Sequence, residues 1–92
     1  MKSLRIAVQM DPIEKMIVSH DTSLALMVEA QSRGHEIWWF TPNDVFYDTG
    51  VVKARAHRVS VSLDESKHYE TLETAVRALN EFDVVLVRQD PP

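Results

Sequence analysis

The sequence has 92 residues, a formal net charge of −4, 45% apolar and 26% charged residues, and no cysteine. That length holds one domain, and the lack of cysteine excludes disulfides, thiolate metal sites and cysteine nucleophiles. The mildly acidic balance argues against nucleic acid as a partner, because phosphate-backbone binding needs clustered Lys and Arg. Apolar runs fall far short of the roughly 20 residues of a membrane span, the N-terminus shows no secretory h-region, and a cytoplasmic location is expected.

Leu4 to Met10 reads LRIAVQM and is stopped by Asp11-Pro12, the pattern of a buried strand with an end signal. Residues 12–21 show no period and read as a loop. Asp21-Thr22-Ser23 offers N-cap oxygens. Leu24, Met27, Val28 and Gln31 then recur at helical spacing with only Gln31 polar, so one face can bury. Arg33-Gly34 closes this helix, Gly34 suiting the left-handed cap. Glu36 to Phe40, EIWWF, is a second strand ended by Thr41-Pro42-Asn43. Strand, helix and strand within this length predict a βαβ unit with parallel strands and a right-handed crossover. Trp38 and Trp39 alternate across the second strand, so one ring packs inward and the other covers a helix or an interface.

Val45-Phe46-Tyr47, the turn signal Asp48-Thr49-Gly50 and Val51-Val52 predict a β-hairpin. Val59, Val61 and Leu63 alternate with Ser60 and Ser62, while Ala54 and Ala56 sit in the opposite phase. A bulge or bend near His57-Arg58 is therefore expected. Tyr69, Leu72, Val76 and Leu79 predict a second helix from Glu65 or Ser66 to Asn80. Asp83 to Arg88 is the last strand. Its Val84 to Val87 run is apolar on both faces, which suits a central parallel strand covered by helices. The fold class expected is α/β, a small Rossmann-like layered domain with a hairpin inserted between the second strand and the second helix.

In an open parallel sheet, ligands bind beyond the carboxyl ends of the strands where strand order reverses. Two loops leave such ends: Met10-Asp11-Pro12-Ile13 and Arg88-Gln89-Asp90-Pro91-Pro92. With the first and last strands as neighbours, Asp11, Arg88 and Asp90 converge on one crevice. Arg88 can clamp a carboxylate with a bidentate fork, Asp11 or Asp90 can accept from an amine, and the helix opening near Thr22 can help hold an anion. The same residues also describe plainer features: a strand-end ion pair worth about 0–1 kcal/mol, and, at Asp21-Thr22-Ser23, a helix cap alone. His20, His35, His57 and His68 share no metal-ligand spacing and read as surface or loop residues. Gly34 and Gly50 are the only glycines, which excludes a dinucleotide fingerprint and a P-loop. Taken alone, the residues reach a polar crevice on an α/β domain without catalytic apparatus.

Several segments taken in order carry more. Met10-Asp11-Pro12-Ile13, Asp21-Thr22-Ser23, Glu29-Ala30-Gln31 with Arg33-Gly34-His35-Glu36, Ala54-Arg55-Ala56, and Arg88 with Asp90-Pro91-Pro92 together resemble the N-terminal domain of prokaryotic glutathione synthetases over essentially the whole chain. The family often has lysine where this chain has His20, and many members have tryptophan near His68-Tyr69. The resemblance implies a mainly parallel, three-layer pre-ATP-grasp domain, one unit over residues 1–92. It belongs to a ligase that joins γ-glutamylcysteine to glycine through an acyl phosphate, using ATP and magnesium or manganese. It also implies a homo-oligomer for the full enzyme, an ATP-grasp region beyond Pro92, and a fragment that holds no cofactor and is inactive alone. Carried over by position, Asp11, Pro12, Ile13, Arg88 and Asp90 face the dipeptide substrate, with Asp21, Thr22 and Ser23 capping the helix beside them and no catalytic or metal residue in this region. Pro91 restricts Asp90 to extended backbone, and each proline ring fixes φ near −65°. Two other readings stand beside this one: a stand-alone flavodoxin-like or receiver-like binding module, and the equivalent domain of another ATP-grasp ligase.

Overall fold

The computed structural model describes residues 3–15, 22–64 and 66–88. Strand β1 spans Arg5–Gln9, helix α1 Thr22–Ser32 and strand β2 Glu36–Phe40. β1 and β2 pair in parallel from Arg5↔Glu36 to Gln9↔Phe40, so the predicted βαβ unit forms. Its helix ends at Gly34, whose φ of 87° lies in the left-handed region. That conformation lets the Gly34 and His35 N–H groups bond back to the Gln31 and Ala30 carbonyls. Leu24 and Met27 of α1 bury against Val8, Met10, Ile37 and Trp39. Gln31, the polar member of the helical stripe, has a use there. Its amide donates to the Val61 carbonyl at 2.8 Å and accepts from the Val61 N–H at 2.7 Å.

Strands β3 (Val45–Asp48) and β4 (Val51–Val61) form the predicted hairpin, paired from Val45↔Ala54 to Asp48↔Val51. Thr49 and Gly50 both have positive φ, 50° and 85°, which a two-residue turn matched to strand twist requires. β4 is far longer than a hairpin arm. It takes β3 and then β2 along one edge, both antiparallel. Ala54 and Ala56 bury on one face of the sheet with Ala7, Trp38, Phe40 and Phe82, whereas Val59 and Val61 bury on the other, against α1. Their opposite phases reflect two cores served by one strand rather than a flip of the chain.

The predicted second helix is absent. Tyr69–Ala78 is strand β5, antiparallel to β4 along nearly its whole length. Arg58 pairs with Glu73 and Val59 with Thr71, so Leu72 is an extra residue. The irregularity thus falls beside Arg58, where a bulge was expected, but the added residue sits on the partner strand. By skipping one position, the bulge sets the apolar residues 69, 72 and 76 at steps of three and four, which imitates a helix. Pairing with a long, otherwise open β4 edge then outweighs the local pattern.

Strand β6, Val84–Val87, runs parallel to β1 in the register Ile6↔Val84 to Gln9↔Val87. The sheet order is β3-β4-β2-β1-β6, with β5 on β4. The molecule is therefore α/β as expected, but its sheet is mixed rather than mainly parallel: the parallel pairs involve β1, and the pairings of β4 are antiparallel. Among the described residues α1 is the single α-helix, and β6 lies at an edge rather than in the centre. Both tryptophans are buried, one per face. Trp38 meets Phe82 edge-on at 5.8 Å, with the Arg77 guanidinium over its ring, and Trp39 stacks on His57 at 4.8 Å. His57 is accordingly a half-buried strand residue, not the surface or loop residue expected.

Candidate functional site

Parallel pairing makes β1 and β6 exit at the same end of the sheet. The Arg88 N–H continues their ladder, donating to the Gln9 carbonyl at 2.8 Å. This fixes the backbone of Arg88 one step past the strand, beside the start of α1. Its side chain turns onto that helix: Nη2 donates to Thr22 Oγ1 at 2.8 Å and Nε to Ser23 Oγ at 3.2 Å. Three of the predicted residues thus meet, Arg88, Thr22 and Ser23, from elements 65 and 66 positions apart.

The electrostatics of this meeting are one-sided. The N-terminal pole of a helix carries about half a positive charge, and here a guanidinium is held against it. Two hydroxyl oxygens occupy two of its five N–H groups, and among the described residues the other three meet no carboxylate. Among the described residues the ion pairs lie elsewhere: Glu36 with Arg5 and Arg58, Glu29 with Arg33, Asp48 with Lys53, and Arg77 with Glu73 and Glu81. Arg88 and Asp11 do not pair with one another. A cation of this kind, oriented by neutral oxygens next to a helix pole, is suited to an anion.

The first-strand loop is placed as follows. Asp11 is exposed just beyond β1. The Pro12 carbonyl accepts from the Lys15 N–H at 3.0 Å, closing a 3-10 turn over Ile13–Lys15. The Ile13 side chain is fully buried in the α1-side core. Its carbonyl accepts from His68 Nε2 at 2.7 Å, which ties the loop to the segment before β5 and fixes the imidazole tautomer. Ile13 therefore anchors the loop from below, leaving Asp11 as its outward group. Asp21 and Asp90 lie outside the described residues, as do Pro91 and Pro92.

Next to Arg88, the face of β6 on the α1 side opens into a cleft of about 260 Å³ lined by Ile6, Val8, Leu26, Ala30 and Leu86. Sequence reasoning missed it. Its signal was the apolar Leu26, placed off the buried stripe of α1, together with a last strand apolar on both faces.

The sequence matches the family model described as prokaryotic glutathione synthetase, N-terminal domain, over residues 4–92. The chain belongs to this family. It is 44% identical over 98% of its length to the glutathione synthetase of Brucella melitensis, and 45% identical over 97% to that of Mesorhizobium japonicum. The glutathione synthetase of Coxiella burnetii is 32% identical over 98% of the chain. These matches span only 29%, 28% and 28% of the respective relatives. The chain thus corresponds to the N-terminal portion of proteins named glutathione synthetase. No helix among the described residues is long and apolar enough to cross a membrane.

Proposed function

We propose that this chain is the single, substrate-side domain of a glutathione synthetase. In that enzyme ATP drives the joining of γ-glutamylcysteine to glycine through an acyl phosphate, and this region supplies part of the dipeptide's cleft without being active alone. The observation that carries the reading is Arg88, delivered by β6 to the N-terminus of α1 and held there by Thr22 and Ser23, with no carboxylate partner among the described residues. A substrate carboxylate fits that fork, and Asp11, on the neighbouring strand exit, supplies an acceptor for an ammonium. The family match favours this reading over a stand-alone binding module or another ATP-grasp ligase.

Among the described residues no group of three His, Asp or Glu side chains is gathered that could hold a metal ion, and no glycine-rich phosphate loop exists in the sequence. The part proposed for this chain is to bind and orient a carboxylate.

Substituting the fork while keeping the charge tests this. In the complete synthetase, Arg88→Lys loses bidentate geometry but not the cation. It is expected to raise the KM for γ-glutamylcysteine roughly tenfold, with the KM for ATP unchanged. Unaltered kinetics would remove Arg88 from the site.

A further inference from the structure

The first-strand loop is pinned at two points. Upstream, the Met10 N–H donates to the Phe40 carbonyl at 3.0 Å, one rung past the β1–β2 ladder. Downstream, the Ile13 carbonyl accepts from His68 Nε2 at 2.7 Å, across 55 positions of sequence. Asp11 and Pro12 lie between those points. The Pro12 ring fixes its own φ and biases Asp11 to extended backbone. Little freedom is left between the pins, so the direction of the Asp11 carboxylate depends on both. The buried Ile13 side chain sets the depth of the loop, and the bond from the Lys15 N–H to the Pro12 carbonyl travels with it. The His68 bond sets the rotation of the peptide plane that follows Ile13.

His68 is itself held in place. The Ser62 N–H donates to the His68 carbonyl at 2.9 Å, extending the β4–β5 ladder past Val61↔Tyr69. The Tyr69 ring meets the imidazole edge-on, with centroids 4.9 Å apart, and packs against the same core as Ile13. A ring nitrogen that faces a carbonyl must carry the proton, so Nε2 is the protonated nitrogen of the neutral imidazole. We propose that His68 is a positioning residue for the dipeptide: through the Ile13 carbonyl it aims the Asp11 carboxylate at the substrate's ammonium. The proposal rests on the synthetase reading, in which Asp11 accepts that ammonium. It gives the segment before β5 a part in a site built at the exits of β1 and β6. A clasp that served stability alone would, when cut, weaken folding without singling out one substrate.

The test is made in the complete synthetase. His68→Phe keeps a ring against Tyr69 but removes the donor, whereas His68→Gln returns an amide N–H to a similar place. His68→Phe is expected to raise the KM for γ-glutamylcysteine about five- to tenfold, the worth of one hydrogen bond, with the KM for ATP unchanged. His68→Gln should recover most of that loss. Asp11→Asn should raise the same KM by itself, and adding His68→Phe to it should change little more, because the group being aimed is already gone. Effects that multiply in the double variant, a KM for ATP raised as much as that for the dipeptide, or His68→Gln no better than His68→Phe would overturn the positioning role. Should the His68 variants not fold, nitrogen-resolved NMR of the unaltered enzyme decides. A slowly exchanging Nε2 proton on His68 is expected; a ring protonated on Nδ1, or an Nε2 proton lost at the solvent rate, would overturn the clasp. Asp11→Asn separates the two readings. A raised KM there with unaltered kinetics in His68→Phe removes the positioning role and leaves the synthetase reading standing. An unchanged KM in Asp11→Asn overturns the ammonium assignment itself, and the role of His68 with it.

Discussion

Among the described residues Arg88 is held by contacts that include no carboxylate: the backbone rung to Gln9 and the hydroxyls of Thr22 and Ser23. The contrast is Lys53, whose ammonium lies 3.0 Å from Asp48 at the base of the β3–β4 turn. There the Thr49 hydroxyl, 2.8 Å from Asp48, and the Lys53 ammonium hold the Asp48 carboxyl below the usual carboxylate range. A depressed folded-state pKa means that the stabilisation is present above the ordinary value of the unfolded chain and is lost as pH falls through the folded one. Carboxyl-resolved NMR is expected to show Asp48 titrating below an ordinary exposed aspartate, and Thr49→Ala is expected to move it upward. An unshifted Asp48 would show that the turn contacts do not persist in solution.

At the scale of elements, the βαβ unit and the hairpin were legible because their signals are local. A left-handed glycine ends α1, and a Thr-Gly pair with positive φ closes the hairpin. β5 was not legible, because what decides it is remote: the open edge of β4, and a bulge at Leu72 that rewrites a period of two as a period near 3.6. The distinction has a stability consequence. Val76 is 54% exposed on β5, so Val76→Thr is expected to change unfolding free energy by no more than about 0.5 kcal/mol, as at an ordinary surface site. On the buried stripe of a helix the same change would bury an unpaired hydroxyl at a cost of about 1–3 kcal/mol. Urea unfolding distinguishes the two, and a loss in the larger range would contradict the strand.

At the scale of the whole molecule, a mixed sheet replaces the mainly parallel one because β4 reverses direction and recruits every neighbour antiparallel. The end that matters is unaffected. β1 and β6 still lie side by side and parallel, and their exits still bring Arg88 to α1. That part of the site was legible from strand order alone. The grip of Thr22 and Ser23 on the guanidinium was not, since it depends on side-chain direction across 65 and 66 residues. A double-mutant cycle in the complete synthetase, crossing Arg88→Ala with the pair Thr22→Val and Ser23→Ala, tests the arrangement most directly. The arginine change alone is expected to raise the KM for γ-glutamylcysteine by roughly tenfold to a hundredfold. In the background lacking both hydroxyls the increase should be markedly smaller, because the fork is no longer held. A KM for γ-glutamylcysteine indifferent to Arg88→Ala would contradict the placement of the substrate at this end of the sheet.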